Sequence, residues 1–141
     1  MSMPFSLQVP FVQLLGFTLE KFENGEAEVH YSPKPEHLNF LETTHGGAIM
    51  TLMDVVMAGA ARSMDPEFAV MTIEMKTSFM RPAKSGPEEH LVAKGKLLHR
   101  TQNMAFTEGF IFDPSGQLCA HSTATFKYTP RPGPRGHSKV I

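Results

Sequence analysis

Apolar and polar residues alternate with a period of two through most of the second half of the chain, as in strands that bury one face. Between residues 70 and 79 the alternation predicts one long strand whose apolar face would carry Met71, Ile73, Met75, Thr77 and Phe79. Further strands are predicted at residues 25–31, about 89–99, 104–112 and 117–128, with a weaker one at residues 17–22. Because the later strands are long and closely spaced, they are typical of an antiparallel sheet.

One long segment, from Thr43 to about Arg62, has helical character instead. Threonines suited to N-capping open it, and alanine, leucine and methionine, which favour helices, follow. At roughly 1.5 Å per residue the helix would be about 30 Å long. Between Gly46 and Ala61 the only charged side chain is that of Asp54. A helix that is apolar nearly all round belongs inside the protein.

Together these elements predict an α+β protein in which a curved antiparallel β-sheet wraps around one long central α-helix. The 141 residues suit a single domain, which we assign to residues 1–129, with a short N-terminal helix at about residues 8–15. Residues 130–141 are rich in proline, glycine and arginine, and are predicted to form a flexible tail.

Composition and charge narrow the class of protein further. The hydrophobic fraction of 41% is that of a globular protein, and a net charge of −1 with scattered lysine and arginine argues against nucleic-acid binding. Cys119 is the only cysteine, so no intrachain disulfide can form, and a buried structural thiol is expected. The apolar stretch at residues 46–61 is shorter than the roughly 20 residues that cross a bilayer, and no secretory signal is evident. We therefore expect a cytoplasmic protein that does not enter a membrane.

Asp54 is the first candidate for chemistry. An isolated carboxylate on a buried helix is costly unless it is paired, hydrogen-bonded or protonated, so its presence needs a reason. One interpretation makes it a general base or a nucleophile. The alternative is structural, with Asp54, Thr51 and Ala58 on a narrow stripe that faces solvent.

The sequence His45-Gly46-Gly47 stands at the predicted start of the same helix. Backbone N–H groups there have no partner within the helix, and glycines let a substrate carbonyl approach them, so this is a candidate oxyanion site. Nine residues separate His45 from Asp54, which corresponds to a rotation of about 180° and a rise of roughly 13.5 Å. Since one helix cannot aim both groups at one atom, we hypothesise a site shared across a homodimer interface.

Asn39, the His45-Gly46-Gly47 triplet, Asp54 and a strand ending in Phe-Met-Arg-Pro-Ala at residues 79–83 together resemble the hotdog-fold thioesterases of the phenylacetate-degradation (PaaI-like) type. The resemblance covers about residues 16–128. It implies a hotdog fold and an acyl-CoA thioesterase, which hydrolyses the thioester to free coenzyme A and a carboxylic acid. Coenzyme A would be part of the substrate, and no separate cofactor is implied.

The resemblance also implies roles for individual residues. The Gly46 N–H would polarise the thioester carbonyl, and Asn39 and His45 would help orient it. Asp54 of the partner subunit would activate water or attack directly. Thr72 stands where family members commonly place a serine or threonine that helps hold that water.

This chain departs from the family pattern at Glu42, because the family often has glycine three positions before the histidine. Gly47 and three basic residues are the candidates for substrate binding. Arg81, Lys84 and Arg100 would meet the phosphates of coenzyme A, and the alternative for each is a solvated surface charge.

No metal is expected, because the histidines show no ligand spacing and no cysteines or clustered carboxylates complete a site. Two other functions fit the same fold. One is an acyl-CoA binding or sensing module without turnover, and the other is a hydratase or dehydratase that moves protons at carbon. The acyl group, the pathway and the choice between a dimer and a dimer of dimers stay open at this point.

Overall fold

A computed structural model describes residues 2–130. The elements in chain order are α1 (Pro10–Leu15), β1 (Thr18–Glu23), β2 (Glu26–Tyr31), a short 3-10 helix (Pro35–His37), α2 (Gly46–Arg62), β3 (Phe68–Phe79), β4 (Leu91–Arg100), β5 (Met104–Phe112) and β6 (Leu118–Pro130). The six strands form one antiparallel sheet in the order β1-β2-β4-β5-β6-β3. Side chains of α2 fill the concave face of this sheet. The predicted α+β class and the hotdog arrangement are confirmed.

Several boundaries differ from the sequence-based expectation, among them those of the central helix and of the last strand. The central helix begins at Gly46 rather than Thr43, because the Thr44 hydroxyl donates to the carbonyl of Ala83 at 2.6 Å and holds the preceding chain extended. The helix therefore has 17 residues and a length of about 25 Å. Pro130, which was predicted to open the tail, ends β6 and pairs with Phe68. The rest of the predicted tail, residues 131–141, lies outside the described residues.

The face that β3 turns toward the helix changes partway along the strand. The register between β3 and β6 shifts between Thr72 and Glu74, so Ile73 forms a β-bulge. Before the bulge Thr72 pairs with the buried Phe126, which puts Thr72 on the inner face. The expectation that Met71 and Phe79 share one face is thus wrong, because the extra residue reverses the alternation. The bulge aims Thr72 at the helix.

The helix lies very close to the middle of the sheet, where two glycines face it from neighbouring strands. Gly95 of β4 pairs with Gly109 of β5. A Cβ atom at Gly95 would lie 2.4 Å from the carbonyl oxygen of Val56, and one at Gly109 would lie 2.9 Å from the Met53 sulfur. Only glycine allows backbones to approach this closely. No described helix is both long and apolar enough to span a membrane.

Gly95→Ala is expected to destabilise the protein by roughly 3 kcal/mol, because the new methyl group would overlap backbone atoms of the helix that cannot rotate away. Urea unfolding followed by circular dichroism measures the change. Gly86→Ala is the matched control, since a Cβ there would meet only the end of the flexible Glu89 side chain. If Gly95→Ala and Gly86→Ala have equal free energies of unfolding, the close approach at Gly95 is wrong.

Candidate active site

His45 caps the central helix with its own side chain. Its backbone is extended, with φ −60° and ψ 140°, and its ring Nδ1 accepts a hydrogen bond from the Gly47 N–H at 2.8 Å. Because Nδ1 accepts, a neutral His45 ring carries its proton on Nε2. The exposed ring can therefore present an Nε2–H donor beside the start of the helix.

This cap distinguishes the two glycines of the triplet. The Gly47 N–H donates to the His45 ring. It is therefore not free to bind a substrate, although Gly47 was a candidate for substrate binding. Among residues 2–130 the Gly46 N–H has no hydrogen-bond partner. It stands at the first position of a 17-residue helix, where the helix dipole is positive. Gly46 is therefore the backbone donor available to an anionic oxygen.

Asn39 organises the loop before the helix rather than pointing away from it. Its Oδ1 accepts from the Leu41 and Thr43 N–H groups at 2.9 and 3.1 Å, and its Nδ2 donates to the Thr43 hydroxyl at 3.0 Å. Glu42 lies in this loop with φ of +63°. Such an angle favours glycine, which accounts for the glycine common at this position in the resembling family. The loop keeps its turn despite the departure from the family pattern.

Glu42→Gly is expected to leave stability unchanged or raise it by up to about 1 kcal/mol, because the strain of a left-handed residue is relieved while unfolded-chain entropy increases. Thermal unfolding of the two chains measures the difference. Glu36→Gly, in the 3-10 helix, removes the same exposed side chain at a residue without positive φ and should destabilise by about 0.5–1 kcal/mol. Equal losses in both variants would contradict the strain at Glu42.

The start of the helix opens onto a cleft of about 360 Å³. Its lining residues include Asn39, Thr43, Gly46, Phe79, Met80 and Arg81. Arg81 is exposed at this cleft, and exposed Lys84 directly follows Ala83, another lining residue. A larger depression of about 550 Å³ lies on the outer side of β4 and β5 and contains none of the predicted site residues.

The third basic candidate, Arg100, is not brought to this cleft. Its guanidinium pairs with Asp65 at 3.6 Å and lies 4.1 Å from the ring centroid of Tyr128. The Tyr128 hydroxyl donates to the carbonyl of Ala61, near the last turn of α2. Arg100 therefore lies at the opposite end of the helix from Gly46 in its own chain.

Two buried groups support the cleft from behind. Burial raises the pKa of Tyr31 to about 12, so its phenol stays protonated and donates to His37 Nδ1 at 2.8 Å. The carbonyl of His37 in turn accepts from the His45 N–H at 2.9 Å. Cys119 lines the cleft as a buried thiol, and burial raises its pKa, so it is a poor nucleophile. The prediction that Cys119 is buried is confirmed.

Asp54 and Thr72 meet on the other side of the helix. The Thr72 hydroxyl donates to Asp54 Oδ1 at 2.7 Å, and among the described residues Asp54 Oδ2 has no partner. The Asp54 side chain is half-buried and lines a second cavity of about 230 Å³ that does not include Gly46. The structure thus brings Asp54 and Thr72 together but keeps both away from the start of the helix.

Within one chain the candidate groups form two separate half-sites. Gly46 and Asp54 are eight residues apart on the helix, a rise of about 12 Å. Strand β3 reaches both, because Phe79 lies near Gly46 and Thr72 contacts Asp54. No single substrate carbon in this chain can touch both groups at once.

Sequence reasoning missed Arg62, the buried arginine that ends α2. Its Nε donates to the carbonyl of Phe68 and its Nη1 to the hydroxyl of Ser6. A basic residue in the last helical turn is common at exposed helix ends, so the sequence carried no signal for its burial. Across residues 2–130, no group of three or more His, Cys, Asp or Glu side chains is arranged to hold a metal ion.

Comparisons with known proteins identify the family and the fold. The model of the thioesterase superfamily matches residues 41–120. Human acyl-coenzyme A thioesterase 13 is 30% identical over 98 residues, which cover 69% of each chain. The fold is similar to that of PaaI from the Escherichia coli phenylacetic acid degradation operon, with a TM-score of 0.79, 21% identity, and coverage of 86% of this chain and 85% of that one. It is also similar to a Streptococcus mutans protein solved with bound acetyl-CoA, with a TM-score of 0.77, 22% identity, and coverage of 89% and 94%.

Proposed function

The chain belongs to the thioesterase superfamily, and from this premise we propose that it hydrolyses acyl-CoA thioesters to free coenzyme A and a carboxylic acid. The observation that carries the proposal is the Gly46 N–H at the positive end of the central helix, which opens onto a cleft and has no partner in the described part of the chain. Acetyl-CoA bound to the Streptococcus mutans protein supports a coenzyme A thioester as the ligand of this fold.

The Gly46 N–H is the proposed oxyanion donor. When a nucleophile adds to the thioester, the carbonyl oxygen gains negative charge. A fixed N–H binds this anionic oxygen more strongly than it binds the neutral carbonyl oxygen of the substrate. The His45 Nε2–H is the proposed second donor, because Nδ1 is already held by Gly47. Asn39 holds the loop that leads to these groups and is thus a positioning residue. Arg81 and Lys84 would meet the phosphates at the rim.

Asp54 is the proposed base or nucleophile. As a base, its Oδ2 takes a proton from water while the water oxygen bonds to the carbonyl carbon. The carbon–sulfur bond then breaks, and Asp54 returns the proton to the departing sulfur, which releases the coenzyme A thiol. As a nucleophile, Asp54 bonds to the carbonyl carbon, the carbon–sulfur bond breaks and coenzyme A leaves as the thiolate. Water then cleaves the resulting anhydride to the carboxylic acid and restores the Asp54 carboxylate. In both routes Thr72 holds Oδ1 and so fixes the direction of the carboxylate.

A homodimer would unite the two half-sites. Within residues 2–130, β3 is the last strand of the sheet, and it exposes Met71, Ile73 and Phe79 by 59%, 56% and 53%. An unpaired apolar edge of this kind favours pairing with another strand. If two copies of β3 paired antiparallel about a two-fold axis near residues 75 and 76, Thr72 of one chain would lie opposite Phe79 of its copy. Asp54 of one chain would then face Gly46 of the other.

The test is release of free thiol from a panel of short, long and aromatic acyl-CoAs, followed with a chromogenic thiol reagent. Steady release with at least one substrate is expected. Tight binding of every acyl-CoA without thiol release would instead identify a binding module, and a change in enoyl absorbance without free thiol would identify a hydratase or dehydratase. Either result would overturn the proposal.

A further inference from the structure

An apolar cavity of about 230 Å³ lies between the N-terminal segment, β1 and the half-buried side of α2. Its walls include Leu7, Val9, Phe22, Val55 and Ala58. The charged side chains of the lining are those of Arg62 and of Asp54, whose Oδ1 is held by Thr72. The cavity is thus mostly apolar and adjoins the proposed catalytic carboxylate.

The outer wall of this cavity is a built part of the structure. Arg62, only 7% exposed, donates from Nη1 to the Ser6 hydroxyl at 3.0 Å and from Nη2 to the Pro66 carbonyl at 2.8 Å. The Met3 N–H donates to the Leu19 carbonyl at 2.8 Å, which ties the segment to β1 as well. The bond from Arg62 to Ser6 is charge-assisted, and such a bond holds its acceptor more firmly than a neutral bond does, while the bond to Pro66 fixes the guanidinium itself. The N-terminal segment is therefore a fixed wall over the helix.

We propose that this cavity receives the acyl group of the substrate and that the N-terminal segment, residues 5–12, limits its length. The inference rests on the proposed hydrolysis of acyl-CoA. A thioester carbon that Asp54 or its water attacks must lie within a few ångströms of the carboxylate, and the acyl group begins at that carbon. The apolar chain must then enter space beside Asp54, and this cavity is apolar and adjoins Asp54. The cleft at Gly46, which is partly lined by threonine and arginine, suits the carbonyl and the coenzyme A.

The cavity volume sets the class of acyl group. An apolar cavity of about 150 Å³ takes up benzene, with six carbons. A volume of about 230 Å³ is half as large again, so it fits an apolar acyl group of about six to nine carbons. Octanoyl-CoA should therefore be a better substrate than acetyl-CoA, which leaves the cavity empty, and better than palmitoyl-CoA, which exceeds it.

Two variants change the cavity in opposite directions. Ala58→Leu fills it from the helix, and Leu7→Ala opens its outer wall. Ala58→Leu is expected to lower the ratio of kcat/KM for octanoyl-CoA over acetyl-CoA at least about tenfold, which corresponds to the effect of one or more methylenes in an apolar pocket. Leu7→Ala is expected to raise the ratio of kcat/KM for palmitoyl-CoA over octanoyl-CoA by about fivefold or more.

Leu14→Ala is the control, because Leu14 is 69% exposed on α1 and does not line the cavity. It should keep both ratios within about twofold of the unmodified chain. If the unmodified chain releases thiol but neither cavity variant shifts its ratio, the acyl pocket is wrong while the proposed function stands. If Ala58→Leu does not fold, Leu7→Ala alone decides, since it shortens a side chain in the outer wall. No thiol release from any substrate would overturn the proposed function itself.

Discussion

Asp54→Asn is expected to lower kcat for acyl-CoA hydrolysis by about 10²- to 10⁴-fold with little change in KM, because the amide can neither take a proton from water nor attack the thioester. The variant should fold normally. Its side-chain oxygen can still accept the hydrogen bond that Thr72 donates to Asp54 Oδ1. Initial rates of thiol release, measured over a range of octanoyl-CoA concentrations, give both constants.

Asp65→Asn is the matched control for this loss. It makes the same chemical change just after the opposite end of α2, where Asp65 pairs with Arg100. Its kcat should stay within about twofold of the unmodified chain. A kcat for Asp54→Asn within threefold of normal would remove Asp54 from the mechanism, even if the protein proved to be a thioesterase.

A heterodimer of one Asp54→Asn chain and one Gly46→Pro chain is expected to recover about half the activity of the unmodified dimer, although each variant alone keeps about 1% of that activity or less. The two changes would fall together in one site and leave the other site intact. Two different affinity tags on the chains allow the heterodimer to be purified, and thiol release is measured per dimer. If each site were built within one chain, both sites of the heterodimer would be damaged and no activity would return.

Gly46→Pro is suited to this experiment because it removes the N–H with little strain. Proline is favoured at the first helical position, and the residue before it must be extended, as His45 is with ψ of 140°. Losing one oxyanion donor is expected to cost about 10²- to 10³-fold in kcat. Gly46→Ala keeps the N–H, and its Cβ would meet the Phe79 ring at an ordinary 3.8 Å, so it separates the loss of the donor from added bulk.

The sequence identified the residues of the candidate site better than their hydrogen-bond partners and positions. His45, Gly46 and Asp54 are named from their positions and Thr72 from the family resemblance, and the structure pairs Thr72 with Asp54 at 2.7 Å. The resemblance implies the Gly46 N–H as the donor, but the local pattern cannot show which glycine N–H remains free, because the answer depends on the rotamer of the His45 ring. The position of Arg100 could not be read either, since β4 carries it past the end of the helix to Asp65.

The N-terminal segment and Arg62 show a second limit. Nothing in the local pattern pairs Arg62 with Ser6, which is 56 residues earlier in the chain. The cavity that these two residues line therefore could not be predicted from the sequence. A buried arginine that donates to carbonyls can be recognised only when the surrounding carbonyls are in place.

Local pattern alone was enough to identify the strands and the central helix, because periods of two and 3.6 are properties of neighbouring residues. It also identified Asp54 as the only charged residue between Gly46 and Ala61 of that helix. Folding decided which strand lies at the sheet edge, where the bulge at Ile73 turns Thr72 inward, and how Gly95 lets the helix approach. Each of these depends on contacts between residues far apart in the chain. Their free energies are summed over the whole core, so no short window of sequence contains them.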